Sequence, residues 1–353
     1  MLKEFRIKNF KAFKDLKLNG FKKVNIFVGK ANTGKTSILE ALSLFLAKHP
    51  QILISLLNER SMLGDDACFE NLFFDYKTNE LITLESDLEK LELSPNFENQ
   101  SLVISKQTAY IDRSNSYNLK NSLKFSFESK NKKSFSSSIS FNKIETNQTA
   151  YNVSMNETEK RTFTSSLNSI EFIASVKNRE YFNRFINNLS AVITDNEKAK
   201  ELQQKIKEFA LDIEDLKFVG GNKILVQQKG LQHAIDFRLL GQGFQSYIFM
   251  LVAILSDKKY IIIDEIENGL HFESIDLLLE SMFQTPKDTQ FFITTHNKEL
   301  LKNLALKLEK QDDKIKNVAL FNIYYDKENK LRGVQYNGEN FVHALINGNE
   351  TRG

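Results

Sequence analysis

The stretch that decides the fold is Val24-Asn25-Ile26-Phe27-Val28-Gly29-Lys30-Ala31-Asn32-Thr33-Gly34-Lys35-Thr36-Ser37. Its first five residues form an apolar run with the character of a strand buried on both faces. The next eight, Gly29 to Thr36, fit G-x-x-x-x-G-K-[ST]. Glycines in that pattern let the backbone wrap so that several N–H groups point inward at phosphate oxygens. The helix that follows adds the partial positive charge of its N-terminus. Lys35 is placed to reach the β- and γ-phosphates of a nucleoside triphosphate, and the Thr36 hydroxyl to bind Mg2+. The expected nucleotide-binding residues are therefore Gly29, Lys30, Ala31, Asn32, Thr33, Gly34, Lys35, Thr36 and Ser37. At average composition such a string arises by chance in about one chain in a hundred of this length. Here it also lies between a buried strand and a helix, the context that separates it from an ordinary glycine turn. That helix is expected over 37–48, with Ile38, Leu39, Ala41, Leu42 and Phe45 as its apolar face and Pro50 marking its end.

Three further stretches bear on the same chemistry. Tyr260-Ile261-Ile262-Ile263-Asp264-Glu265 is an apolar strand ending in two carboxylates, placed where parallel sheets bind ligands. Asp264 is the expected Mg2+ ligand, acting through a water, and Glu265 the general base for an attacking water. Phe291-Phe292-Ile293-Thr294-Thr295-His296 is a second apolar strand with His296 at its edge. A histidine there can donate a hydrogen bond to the γ-phosphate or to the attacking water. An exposed histidine near a helix start is the bland alternative. Leu240-Gly241-Gln242-Gly243-Phe244-Gln245 precedes an apolar helix over 244–255, and Gly241 and Gly243 could open a second anion site there. The catalytic residues expected are Lys35, Glu265 and His296, and the metal ligands Thr36 and Asp264.

The remainder of the chain sets bounds. It has 353 residues, 41% hydrophobic and 26% charged, which excludes collagen-like, disulfide-scaffold and globally disordered classes. A net charge of +3 gives no global attraction to nucleic acid or acidic membrane. The single Cys68 forms no intrachain disulfide and no multi-cysteine metal site. Met1-Leu2-Lys3-Glu4 is charged at once, and the longest apolar run, Tyr247 to Leu255, is far short of a membrane span; the expectation is a cytoplasmic protein. Only 14 glycines and three prolines occur, so a local glycine cluster is informative. Between 101 and 170 there are ten Lys and Arg against five Asp and Glu, and period-two stretches such as Leu123-Lys124-Phe125-Ser126-Phe127 predict antiparallel strands with one wet face. A nucleic-acid surface is the alternative to a solvated face there. Residues 171–218 read as helical, with Leu202, Ile206, Phe209, Ile213 and Leu216 at amphipathic spacing and Gly220-Gly221 ending the run. Strand–helix alternation after that argues for a parallel sheet with helices on its faces.

With all four motifs in this order, the chain resembles the ABC-type ATPase superfamily. Within it the likeness is to the overcoming-lysogenization-defect (OLD)-like AAA family ATPases, related to SMC and RecF-type proteins. Ile7-Lys8-Asn9-Phe10-Lys11-Ala12-Phe13 looks like that group's opening strand, and Asp264-Glu265-Ile266-Glu267-Asn268-Gly269-Leu270-His271 is similar to its Walker B segment and following loop. Thr294-Thr295-His296-Asn297 looks like its switch, Leu240 to Gln245 like a degenerate signature, and Gly348-Asn349-Glu350-Thr351-Arg352 like its ending. The resemblance implies an α/β P-loop NTPase of ABC-ATPase type. Its features would be a mixed or parallel sheet with flanking helices, a β-rich insertion and a helical signature subdomain. The domains implied are a nucleotide-binding core over 1–50 and 219–353, an insertion over 51–170, and a helical subdomain over 171–255 that overlaps the core. It implies ATP and Mg2+ as cofactors and a homodimer or higher homo-oligomer in which two chains sandwich two ATPs. It further implies an ATP-hydrolysing switch in phage defence or DNA maintenance, with a nuclease or other effector protein and DNA as partners and no membrane. The short stretch after His296 leaves no room for a Toprim nuclease domain. The competing expectation is the ATPase subunit of a membrane transporter, which would carry a serine-containing signature.

Overall fold

The computed structural model describes residues 1–62, 69–95, 122–130, 132–144, 148–154, 166–174, 179–220 and 223–346. Cys68, Gly221 and the Gly348 to Arg352 ending lie outside the described residues. Two compact units divide the chain. One comprises Met1 with residues 20–39 and 169–353, and the other residues 2–19 and 40–168.

The second unit is built on an antiparallel sheet. Its strands are β1 (Glu4–Phe10), β2 (Phe13–Asn19), β4 (Ile82–Glu85), β5 (Glu89–Pro95), β6 (Ser122–Ser129), β7 (Lys132–Ile144) and β8 (Gln148–Ser154), in the order β2-β1-β4-β5-β6-β7-β8. Alternation made this sheet legible. In β6, Leu123, Phe125 and Phe127 are buried while Lys124 and Glu128 are exposed, the pattern of a sheet with one solvated face. In β1, Phe5 and Ile7 point inward between the half-buried Arg6 and Lys8. The expected core boundaries placed residues 1–50 together, whereas β1 and β2 share the antiparallel sheet. The physical reason is the same alternation: a strand polar on one side suits a one-wet-face sheet better than a parallel layer covered on both sides. Phe5 packs 5.2 Å from Phe45 of helix α1 (Lys35–Ala47), which has residues in each unit. Helix α2 (Gln51–Glu59) follows, with Pro50 at its N-cap.

The first unit holds a six-stranded mixed sheet. Its strands are β3 (Val24–Val28), β9 (Ile170–Ile173), β13 (Tyr260–Ile263), β14 (Gln290–Thr294), β15 (Val318–Tyr325) and β16 (Leu331–Asn337), ordered β16-β15-β3-β14-β13-β9. Every pairing is parallel except that of β16, an antiparallel edge. All five residues of β3 and all five of β14 are buried, as continuous apolar strands of a covered parallel sheet require. Val24, Ile26, Val28, Ile261, Ile263, Phe291 and Ile293 face one large core. Phe27 stacks with Phe321 at 5.3 Å and Phe21 meets Phe292 edge-on at 5.4 Å.

Helices α3 (Arg179–Thr194), α4 (Asn196–Phe209), α5 (Gln242–Leu255), α6 (Phe272–Gln284) and α7 (Lys298–Leu308) belong to the same unit, beside a small antiparallel sheet of β10 (Ile213–Gly220), β11 (Lys223–Gln228) and β12 (Ile235–Asp236). The helical expectation for 171–218 is corrected at both ends. Residues 170–173 form an edge strand of the main sheet, and α4 stops at Phe209, with Ala210 already extended. Ile213 and Leu216 lie in β10, opposite Gln228 and Val226, with a register shift between Ile213 and Asp215. The inserted residue returns Ile213 and Leu216 to one face of the strand, so a three-residue spacing imitates helical periodicity.

Candidate nucleotide-binding and hydrolysis site

Parallel pairing brings the motif-bearing ends together. Ile263 pairs with Ile293, and Phe27 with Thr294, so the segments after β3, β13 and β14 leave the sheet at one carboxyl edge. That edge is where open α/β sheets hold ligands.

After β3 the chain makes the phosphate loop. Gly29 has φ +151°, and a Cβ there would stand 2.3 Å from the Ile323 carbonyl oxygen of β15. Asn32 and Gly34 have φ of +62° and +79°, so three of the eight motif residues have positive φ, which mostly favours glycine. Lys30, Ala31 and Asn32 form an exposed tip, whereas Thr33 and Lys35 are buried. The Thr33 hydroxyl donates to the Lys30 carbonyl at 2.9 Å. Lys35 Nζ donates back across the loop to the carbonyls of Gly29 (3.1 Å) and Lys30 (2.8 Å). Its ammonium thus lies within the ring of backbone that a phosphate would enter. Lys35, Thr36 and Ser37 form the first turn of α1, where the N-terminal N–H groups and the helix dipole favour an anion.

Opposite this turn stands Asp264, 6% exposed. The Thr36 hydroxyl lies 3.2 and 3.1 Å from its two carboxylate oxygens. Thr294 donates its hydroxyl proton to Asp264 at 2.6 Å and accepts the Glu265 N–H at 2.8 Å, a bridge between the two acids. Glu265 has φ +54°, an uncommon backbone state for a non-glycine residue and one found at functional turns. His296 Nε2 is 4.0 Å from Glu265 Oε1, and both side chains are partly exposed. The structure therefore brings together Thr36, Asp264, Glu265 and His296 as the motifs implied.

Gly241 and Gly243 have a different neighbour. Gly241 is the exposed N-cap of α5, with no atom within 4 Å of a Cβ built on it. A Cβ on Gly243 would stand 2.7 Å from the Gly269 carbonyl of the same chain. The absence of a side chain at Gly243 is thus already required within the chain, independently of any phosphate.

Three residues escaped the sequence reading: Thr294, Glu267 and Tyr325. Glu267 Oε1 accepts the backbone N–H of His296 at 2.5 Å. Tyr325, at the end of β15, donates its hydroxyl to the Asn32 carbonyl at 3.3 Å and so braces the loop tip. Thr294 lies inside the quoted strand, but only the pairing of β13 with β14 places its hydroxyl beside the two acids.

The donor set suits Mg2+. A threonine hydroxyl and a carboxylate, about one hydrogen-bond length apart, are hard oxygen donors of the kind that ion takes alongside waters and phosphate oxygens. Among the described residues no group of three or more His, Cys, Asp or Glu side chains is placed to hold a metal, so here the cation would depend on phosphate oxygens as well.

A family model described as "AAA domain, putative AbiEii toxin, Type IV TA system" matches residues 24–302. A Helicobacter pylori protein named ATP/GTP phosphatase is 27% identical over 371 residues, covering 98% of each chain. A Methanocaldococcus jannaschii protein is 31% identical over 115 residues, 30% of this chain and 52% of that one. Among solved structures, an SMC head bound to the C-winged helix domain of ScpA superposes with a TM-score of 0.51 at 11% identity, covering 96% of this chain and 98% of that one. At that identity the likeness is one of fold, the ABC-type P-loop ATPase fold with a mixed sheet and flanking helices. No helix of the described residues is long and apolar enough to cross a membrane.

Proposed function

The chain belongs to this AAA-domain family, and on that premise we propose that it is an ATP-driven switch that acts with a partner effector. It is an ATPase of AAA and SMC-like type. The observation that carries the reading is the meeting of two motifs far apart in sequence, the Thr36 hydroxyl at 3.1 and 3.2 Å from the Asp264 carboxylate. Such convergence at a sheet edge supports a triphosphate on the loop with a hard cation beside it. In this reading Gly29 to Ser37 wrap the phosphates, and Lys35 turns from the carbonyls of Gly29 and Lys30 to the β- and γ-phosphates. Thr36 and Asp264 hold Mg2+, whose chemistry when bound is to neutralise charge on those phosphates. Glu265 accepts a proton from the water that attacks γ-phosphorus, while the bond from that phosphorus to the bridging oxygen of ADP breaks. His296 donates a hydrogen bond to the γ-phosphate or to that water. The printed name of the Helicobacter relative, ATP/GTP phosphatase, supports triphosphate hydrolysis and makes GTP the nucleotide to compare.

The finer reading is an OLD-like member working in phage defence or DNA maintenance, as a homodimer or higher homo-oligomer with two shared ATP sites. It rests on the order of the four motifs and on the exposed Gly241 at the start of α5. The nucleotide-binding role is assigned to the unit that carries all four motifs. The serine-free signature Leu240-Gly241-Gln242-Gly243-Phe244-Gln245 weighs against the transporter alternative. The test is phosphate release from ATP and from GTP, with Mg2+ or with chelator, and with or without double-stranded DNA at low salt, where phosphate contacts are strongest. Hydrolysis that needs Mg2+ is expected. No hydrolysis and no nucleotide binding under any condition would overturn the reading. DNA without effect would remove the DNA-maintenance version.

A further inference from the structure

Resting on the hydrolytic reading above, we infer that Glu267 is the positioning residue of the His296 loop. Besides the Thr294 hydroxyl on Asp264 at 2.6 Å, three hydrogen bonds lace the segment after β13 to the end of β14. Glu265 N–H donates to Thr294 Oγ1 at 2.8 Å, Ile266 N–H to the Thr294 carbonyl at 3.2 Å, and His296 N–H to Glu267 Oε1 at 2.5 Å. The first two end on Thr294. The third reaches the backbone of the histidine, and it does so through a side chain. A carboxylate accepting an N–H makes a short, charge-assisted bond, and this one fixes the backbone from which the imidazole projects toward Glu265.

Two further observations set Glu267 apart from a surface acid. Its Oε2 is buried and has no hydrogen-bond partner among the described residues, an arrangement uncommon for a polar atom in a folded protein. Its own backbone is held in a tight turn, with Asn268 N–H donating to the Glu265 carbonyl at 2.8 Å and Leu270 N–H to the Glu267 carbonyl at 3.0 Å. The carboxylate is therefore mounted on a fixed loop, and Gly269 of that loop abuts Gly243 at the start of α5. Loss of the side chain would remove that bond to the His296 N–H while leaving the Thr294 bonds in place.

The test has two arms. In the full chain labelled with 15N-histidine, which has five histidines, the His296 amide proton should resonate downfield. It should move upfield in Glu267→Ala while the other four hold their positions. This arm needs no hydrolysis, so it stands or falls separately from the proposed function. In the kinetic arm, Glu267→Ala should lower kcat by about 10- to 100-fold, as expected for misplacement of a catalytic group by about an ångström, with KM within about twofold. Glu267→Gln keeps an oxygen acceptor and should recover most of kcat. In the His296→Ala background, Glu267→Ala should cost nothing more. An unmoved His296 amide overturns the inference. So do losses that multiply in the double variant, or a Glu267→Ala enzyme that turns over like the wild type. An amide that responds in a protein that neither binds nor hydrolyses ATP or GTP would keep the structural tie and overturn the proposed function.

Discussion

Lys35 and Glu265 carry opposite halves of the chemistry, and their variants should fail in opposite ways. The Lys35 ammonium is buried and held by two loop carbonyls, so this cation is already desolvated before a phosphate arrives. Removing it in Lys35→Ala leaves the triphosphate without its main cationic partner. Affinity for ATP should fall by about 100-fold or more, since a hydrogen bond to a charged group is worth about 1.5–3 kcal/mol and several are lost at once. Titration calorimetry checks this, and unchanged affinity would falsify the phosphate-loop assignment. Glu265→Gln should bind ATP with Mg2+ as the wild type does, and hydrolyse it about 10²–10⁴-fold more slowly. Its ATP-bound form should accumulate as a dimer on sizing chromatography. Normal turnover would instead move the base role to His296. Lys35, Asp264 and Glu265 were legible because their neighbours in sequence are also their structural context: a strand before, a helix or turn after. Thr294, Glu267 and Tyr325 were not. Each acts on a residue that sheet pairing alone brings near, Thr294 on Asp264 and Glu265, Glu267 on His296, and Tyr325 on Asn32.

Elements were readable where one periodicity dominated. The strands β3, β13 and β14 and the helix α5 are dominated by apolar residues and buried along most of their length, and neither helix nor strand required a polar face to be recognised. Over 196–220 two periodicities overlap, and the β-bulge in β10 extended the helical spacing past the true end of α4. The start of α5 gives a test at this scale. Gly241 and Gly243 look alike in sequence, yet only Gly243 faces a backbone carbonyl, that of Gly269, at 2.7 Å from a built Cβ. Gly243→Ala should therefore force α5 and the 267–271 loop apart, at a cost of about 1–3 kcal/mol, the range for overpacking. Gly241→Ser places a favourable N-cap residue in open space at φ −57°, and should leave stability within about 0.5 kcal/mol. Chemical denaturation of the two variants separates them. Equal midpoints would mean that the loop yields to the new methyl group without cost.

At the scale of the whole molecule, the sequence foretold the sheet edge better than the partition of the chain. The strand β1 precedes the phosphate loop yet pairs with β4, Arg6 opposite Glu85 and Lys8 opposite Thr83, because sheet membership follows face polarity and strand pairing over long separations. The assembly is a further step, and Gly241 now serves its test better than Gly243, whose substitution would disturb its own chain. In a head-to-tail ATP sandwich, Lys35 serves the nucleotide on its own chain's loop, and the start of α5 serves the partner's. Lys35→Ala and Gly241→Arg should each be inactive alone. A Cβ at position 241, on the exposed start of α5, meets no atom of its own chain within 4 Å, so the Gly241→Arg chain should fold normally and obstruct an incoming partner. Mixed and allowed to re-equilibrate, the two should form dimers with one intact site, built from the loop of the Gly241→Arg chain and the signature of the Lys35→Ala chain. With random pairing at equal amounts, half the dimers are mixed and each has one of two sites, so recovery should approach about a quarter of wild-type activity if the sites fire independently. If firing needs both sites, activity stays near zero while each mixed dimer still binds one ATP tightly, so binding must be counted alongside turnover. A mixture with neither activity nor a tight site would exclude the shared-site assembly. Each chain would then have to complete its own site, with Gly241→Arg disabling the site of the chain that carries it.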